Sequence, residues 1–344
     1  MSKEKMRIKI KATTATELCQ IEKSTKASKG EPATILLKEQ KVIVINSRGV
    51  EQSLYTPIFS GNGFRGALRR LSLQILIEKG IEKGFTFKNG DDFHLNNCGG
   101  GSDFQTQPFD IEDKARETNP LLSVFGTSLA LSGKLKTPNL IPYKNVEDGI
   151  KEFYFAERED GSVYFTRKYN DRFYKGDDIL DRKGNAKYLS PEVSQAWQKK
   201  VEENQEDIGK TRDTDKKAKK EFIRARLGRD FVVRGTRFYT ALSEMSTTQM
   251  TEVERGMVYA ALELLVLENL GSNKARDFGL MEYEVTFQDG SSLETSVDEY
   301  LVASVTKREY KKEVASSIRA FNDWLENDLS EKAFEIASLF IKKQ

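Results

Sequence analysis

The stretch IFSGNGFRGALRRLSLQILIEKG, residues 58–80, decides how the rest of the chain is read. Phe64, Leu68, Leu71 and Ile75 recur at helical spacing, which predicts an amphipathic helix, and Gly80 stands where a left-handed stop belongs. Ser60 and Asn62 precede it as candidate caps, while Gly61, Gly63 and Gly66 let backbone come close to whatever lies at the entrance. Arg65, Arg69 and Arg70 fall in the first two turns, where the macrodipole and the unpaired amides are already positive, so an anion is expected to compensate. A phosphate would accept the free amides together with the Arg65/Arg69 pair, which shares a face at i, i+4; pairing with surface carboxylates is the alternative.

The chain has 344 residues, enough for one large or two modest domains. Its 55 Lys+Arg against 53 Asp+Glu give a net charge of +2, so nucleic-acid binding would have to come from local patches rather than bulk charge. Two cysteines, Cys19 and Cys98, and the single histidine His94 provide no disulfide framework and few nitrogen or sulfur ligands, which fits a reducing cytoplasm. His94 and Cys98 at i, i+4 could suggest a metal pair with Asp91 or Asp92, but a zinc site needs more ligands than these positions supply, so no metal is expected and His94 is expected in a loop. The charged, alternating start MSKEKMRIKIKA and the lack of a long apolar run predict neither export nor membrane spanning.

Met6, Ile8 and Ile10 alternate with Arg7, Lys9 and Lys11, predicting a first strand with one buried and one cationic face; the cationic face is either a basic open sheet surface or a solvated edge. Residues 22–31 read as a loop, 35–45 as a strand, and 88–118 as loop-rich. Leu121 to Phe125 suit a short buried turn or helix ended by Gly126, followed by a strand from Lys134 to Ile141. Residues 146–229 interleave aromatic and charged residues, as base stacking with phosphate contacts requires or as a β-hairpin packing on its own rings would show; residues 199–226 read as a polar insertion. Phe231 to Leu242 reads as a strand, Thr251 to Leu270 as a helix, and Met281 to Phe287 as a further strand. The loop GSNKARDFG, residues 271–279, joins the last two and is flexible enough for its amides and cations to track a phosphate chain. After Asp289 the chain is expected to be helical to its end.

Two strand–helix–strand halves imply an α+β, ferredoxin-like sheet, the topology of RNA recognition motifs, carrying large insertions. The expected division is 1–144 for the first part of this sheet domain, 145–230 for an insertion, 231–290 for its second half, and 291–344 for a helical segment packed on it.

Four stretches in this order, GNGFRGALRR, NPLLSVFG followed by GKLK, RGTRFYTAL and LGSNKARDFGLMEYEV, together resemble the RAMP superfamily of CRISPR-associated proteins. They cover about a quarter of the chain, and length and the long insertion make it look most like the backbone subunit of a multisubunit effector, with the type IV backbone protein as first choice. The resemblance implies a palm, a thumb hairpin within 145–230, and copies assembled head to tail along a guide RNA (crRNA), with target DNA or RNA reached through base pairing and other effector subunits as partners. Carried over by position, it implies guide contacts from Ser60, Asn62, Gly63, Arg65 and Arg69 at the helix entrance, from Ser272, Asn273, Lys274 and Arg276 in the glycine-rich loop, and from Lys134 and Lys136. Type III relatives cut target RNA with an aspartate near the first strand. No aspartate precedes Asp91 in this chain, so a non-cleaving protein without cofactor is expected, with a RAMP-type RNA endonuclease as the alternative. The helix entrance also lacks the Lys-Ser/Thr ending of a nucleotide-binding P-loop.

Overall fold

Alternation makes the first strand. In β1 (Arg7–Thr14), Ile8, Ile10 and Ala12 are buried while Arg7 and Lys9 are exposed on the opposite face. The computed structural model describes residues 5–24, 33–100, 109–127, 131–147, 150–175, 190–192, 195, 199, 225–246, 248–272, 274 and 277–340.

Strands β2 (Ile21–Ser24) and β3 (Ala33–Leu37) and the hairpin of β4 (Glu39–Ile45) with β5 (Glu51–Pro57) lead into helix α1 (Gly61–Glu82). Three shorter helices follow, α2 (Gly90–Cys98), α3 (Phe109–Thr118) and α4 (Pro120–Phe125). Then come β6 (Leu135–Lys136), β7 (Ile141–Pro142), and two small hairpins, β8 (Asn145–Glu147) with β9 (Ile150–Glu152) and β10 (Phe155–Glu157) with β11 (Val163–Phe165). After β12 (Lys168–Lys175), β13 (Ala225–Val232) and β14 (Arg237–Glu244) the chain forms α5 (Glu252–Leu265), β15 (Met281–Phe287), β16 (Ser292–Val297), β17 (Ala303–Glu309) and α6 (Lys312–Asn327).

The fold is a mixture of helices and antiparallel sheet. Its main sheet has the order β17-β16-β15-β1-β14-β6, with β7 also beside β14. Ile10 at the centre of β1 lies opposite Thr240 of β14 and Val285 of β15, both antiparallel. Helix α1 follows β1, and α5 connects β14 to β15, so both can bury their apolar stripes with the sheet's inner face. Phe64 and Leu68 of α1, Met257 and Leu262 of α5, and Ile8, Phe238 and Tyr283 of the sheet are all at most 1% exposed. Each such side chain contributes roughly 1.5–3 kcal/mol by leaving water.

Two compact units are formed, residues 1–23, 36–169 and 230–344 in one and residues 24–35 and 170–229 in the other. In the second, β13 runs parallel to β3, with Leu227 opposite Ala33. The longer of the second unit's two stretches runs from Asn170 to Arg229. Residues 145–169 stay with the first unit because their rings have an apolar partner there: Tyr154 and Phe165 pack with Val44 and Leu54 of the β4–β5 hairpin. Tyr154 and Phe165 meet edge to face at 6.2 Å, while Tyr164 and Tyr169 remain exposed. Most of the polar run at 199–226 lies outside the described residues.

Several local expectations are corrected. Helix α1 continues past Gly80 to Glu82, and Gly84 takes the left-handed conformation at φ 76°. Gly80 is needed for packing instead, since a Cβ there would lie 2.5 Å from the Phe334 ring. The 88–118 region forms α2 and α3, capped in the first case by Asn89, so His94 is helical. Phe231 to Leu242 is broken by a turn with Gly235 at φ 76°. Beyond Asp289 the chain makes β16 and β17 before it becomes helical, because Leu293 and Thr295 are buried at a period of two.

Helices α5 and α6 cross where Gly256 faces Ser317, and a Cβ on Gly256 would sit 2.0 Å from the Ser317 carbonyl oxygen. Gly256→Ala is therefore expected to destabilise by about 1–3 kcal/mol, although alanine gains about 1 kcal/mol in helix propensity. A thermal midpoint equal to or above that of the wild type would contradict this crossing.

Helix α6 has Lys311 in its capping position and no capping side chain of its own. Asp289, in the β15–β16 turn, replaces it: Oδ2 accepts from the Val314 amide at 3.3 Å and Oδ1 from the Ser291 amide at 2.8 Å. Burial raises the Asp289 pKa, but the hydrogen bonds from Ser291 and Val314 outweigh it and hold the carboxyl below its ordinary 3.8. The unfolded chain then takes up this proton more readily than the native one, so the contribution is present above the ordinary value and disappears as pH falls through the depressed native value. Asp289→Asn is expected to lose about 0.5–2 kcal/mol at neutral pH and little in strong acid. Denaturant titrations showing the same loss at both would argue against a charged cap.

Candidate nucleic-acid interface

The helix entrance is built from side chains of three separate segments. Ser60 is the N-cap of α1, and its hydroxyl accepts from the Gly63 amide at 3.1 Å. Gln20, between β1 and β2, grips the cap in both directions: Nε2 donates to Ser60 Oγ at 2.7 Å and Oε1 accepts from the Ser60 amide at 2.5 Å. The Gly61 amide donates to Asn139 Oδ1 at 2.8 Å. Two of the amides that a helix start leaves open therefore have acceptors from the chain itself. The glycines serve the same closure, since a Cβ on Gly61 would lie 1.9 Å from the Thr137 carbonyl oxygen and one on Gly63 2.6 Å from Gln20 Nε2. Asn62 between them is exposed.

The expected phosphate-facing pair points inward. Arg69 is 6% exposed, and its guanidinium donates to the carbonyls of Asn96 (2.8 Å), Gly126 (2.8 Å) and Leu95 (2.7 Å). It fastens the end of α2 to the glycine that ends α4. Desolvation, then the charge of Arg65, pulls its pKa down to about 10, which leaves it cationic at neutral pH. Arg65, half-buried and likewise lowered by desolvation, donates to the Phe125 carbonyl. Both arginines satisfy the open carbonyls of helix ends, a need that spacing within α1 cannot reveal. Lys134 is also engaged: its ammonium lies 2.8 and 3.0 Å from the two carboxylate oxygens of Glu254, the residue that completes the capping box of α5. Lys136 is exposed on β6, opposite Ser243 of β14.

The glycine-rich loop is strapped to the exit of β1. Ser272 donates to the Cys19 carbonyl through both its amide (2.9 Å) and its hydroxyl (3.1 Å), and the Gly279 amide donates to the Glu17 carbonyl at 2.7 Å. Gly271 and Gly279, at φ 86° and 83°, are required where the loop turns back, and a Cβ on Gly279 would lie 1.7 Å from the Leu270 carbonyl oxygen. Lys274 is exposed and lies 3.8 Å from the equally exposed Glu268. Asn273 and Arg276 lie outside the described residues.

These two corners meet. A groove of about 260 Å³ has Asn62, Gly66 and Arg70 of α1 on one side and Gly271, Ser272 and Lys274 on the other. Across Asn62 lies a second groove of about 500 Å³, bordered by Lys38, Ser60 and Asn139. The described residues lining the two include Lys38, Arg70 and Lys274 but no aspartate or glutamate. Arg70 is the cation that site assignment from sequence passed over. Its signal was the neighbouring helical face, on which Asn62, Gly66 and Arg70 follow at i, i+4 and i+8. His94 and Cys98 sit together on α2, with Cys98 Sγ 3.1 Å from His94 Nδ1, and among the described residues no group of three His, Cys, Asp or Glu side chains could hold a metal ion. No helix among the described residues is long and apolar enough to cross a membrane.

No protein-family model matches the chain, and no curated protein matches it. Among solved structures, the chain is similar to one described as "Type IV-B CRISPR Complex", at 15% identity, covering 81% of this chain and 90% of that one, with a TM-score of 0.45. A likeness this remote carries no weight for fold or function.

Proposed function

We propose that this chain is a non-catalytic, guide-RNA-binding backbone subunit of a multisubunit CRISPR effector, of the RAMP superfamily and most like the type IV backbone protein. In this role copies line up head to tail along the guide and present it for pairing with target DNA or RNA, alongside other effector subunits. The observation that carries the proposal is the groove shared by the α1 entrance and the glycine-rich loop, lined by Arg70 and Lys274 and by no described carboxylate. Such a groove suits a sugar-phosphate chain gripped without regard to sequence, specificity being left to base pairing. The succession β1, α1, β6, β14, α5, β15 with the strand order β15-β1-β14-β6 supports a ferredoxin-like palm.

The test uses purified protein with labelled guide and complementary RNA, with and without divalent metal. The expected result is a stable complex with both strands intact. Periodic cuts abolished by changing one acidic residue would establish the endonuclease instead. Protein isolated from cells is expected to carry RNA of uniform length; material that is free of nucleotide and stays monomeric on an added oligoribonucleotide would overturn the proposal.

A further inference from the structure

Two exposed apolar surfaces lie near opposite edges of the main sheet, outside the grooves described above. One is the turn between β16 and β17. Tyr300 is 79% exposed and Val302 58% exposed, beside the exposed carboxylates of Asp298 and Glu299. The turn is built to hold this shape: Asp298 Oδ1 accepts from the amides of Tyr300 (2.9 Å) and Val302 (2.8 Å), and the Asp298 amide donates to the Val302 carbonyl at 3.1 Å. Leu301 sits at φ 61°, a left-handed conformation costly for a branched side chain and retained here by the surrounding hydrogen bonds.

The other surface is a concave patch of about 930 Å³ beyond the β7 edge. Ile43 and Ile45 of β4, 54% and 65% exposed, form its apolar floor with Phe153 and Phe155. Lys144, Lys151 and Arg167 surround it, against the single carboxylate of Glu152. The positions of the β4 amides sharpen its character. Asn46 pairs with Val50 by a backbone hydrogen bond, and strict alternation along the ladder then turns the amide and carbonyl groups of Ile43 and Ile45 away from β5.

We infer that these surfaces are the two halves of a contact between copies of this chain, the acidic, apolar β16–β17 turn of one copy entering the basic, apolar patch bordered by β4 in the next. The complementarity is double, in charge and in exposed apolar side chains, and each half alone leaves large apolar groups in water. Five strand spacings of about 4.8 Å separate β17 from β7, roughly 24 Å in all, so the two halves are arranged for different copies. A contact between unlike surfaces repeats head to tail, and it gives an open file of subunits where the rotation between copies does not close a ring. The inference rests on the proposed function only for the alignment of that file along RNA.

The test is disulfide trapping in a Cys98→Ser background, in which the remaining Cys19 is buried. Protein carrying Val302→Cys and protein carrying Ile43→Cys are mixed on oligouridylate and oxidised. Linked dimers are expected in the mixture and not in either protein alone. Adding Tyr300→Ser to the first protein is expected to abolish them; Glu299→Lys is expected to do the same, with recovery when Lys151→Glu is placed in the second. Oligouridylate bound without linked dimers in the mixture, or dimers formed by either protein alone, would overturn the contact. Linked dimers in the mixture at high protein concentration, from protein that binds no oligouridylate, would sustain the contact and remove the RNA role.

Discussion

Arg69→Ala is expected to lower the free energy of unfolding by about 3–5 kcal/mol, the largest effect of any single cation in α1. The substitution takes the Arg69 donor from the carbonyls of Asn96 and Gly126, leaves that of Leu95 with the Gly99 amide alone, and opens a cavity where the arginine was 6% exposed. Lysine is not a substitute, because one ammonium on a flexible stem cannot reproduce the planar fork that reaches two helix ends at once. Arg70→Ala, changing an exposed side chain on the same helix, is expected to stay within about 0.5 kcal/mol of the wild type. Urea denaturation of the two variants separates the cases. A loss below about 1 kcal/mol for Arg69→Ala, with a large loss of RNA affinity, would return Arg69 to the ligand-binding surface.

Replacing Arg70 and Lys274 together by glutamine is expected to leave stability nearly unchanged and to weaken binding of single-stranded RNA by about 2–4 kcal/mol, roughly thirty- to a thousandfold. Both cations border one groove, and neither has a close ion pair among the described residues: Lys274 lies 3.8 Å from Glu268, and Arg70 is exposed on the face it shares with Gly66. If each holds one phosphate, the slope of log K against log salt shrinks by about 1.4, at roughly 0.7 per contact on a single strand. The loss is expected to be equal for different sequences, since phosphates carry no base information. Titrations at several salt concentrations decide it. An unchanged slope would place the RNA elsewhere, and a sequence-dependent loss would mean that the groove reads bases.

What could be read from the sequence was set by range. β1, α5, β15 and the short helix before Gly126 were legible because periodicity and capping chemistry are local, as in the Thr251/Glu254 box. The α1 entrance and the glycine-rich loop were each legible as glycine-rich, cationic segments, and their lining of one groove emerges only in the fold. What was not legible was which arginine faces outward. Arg65 and Arg69 have the right spacing for a phosphate, but their acceptors are the ends of α2 and α4, which only the tertiary fold brings near. In the same way the buried period of two in β16 becomes visible only once β15 supplies a neighbour.

The strapping of the glycine-rich loop to Glu17 and Cys19, with Gln20 then gripping Ser60, joins both rims of the groove through one short piece of chain. If this groove holds RNA as proposed, rims tied together in this way make association involve little ordering and little newly covered hydrocarbon. Calorimetry at a series of temperatures is therefore expected to give a nearly constant binding enthalpy, where an induced clamp would show a steep decline.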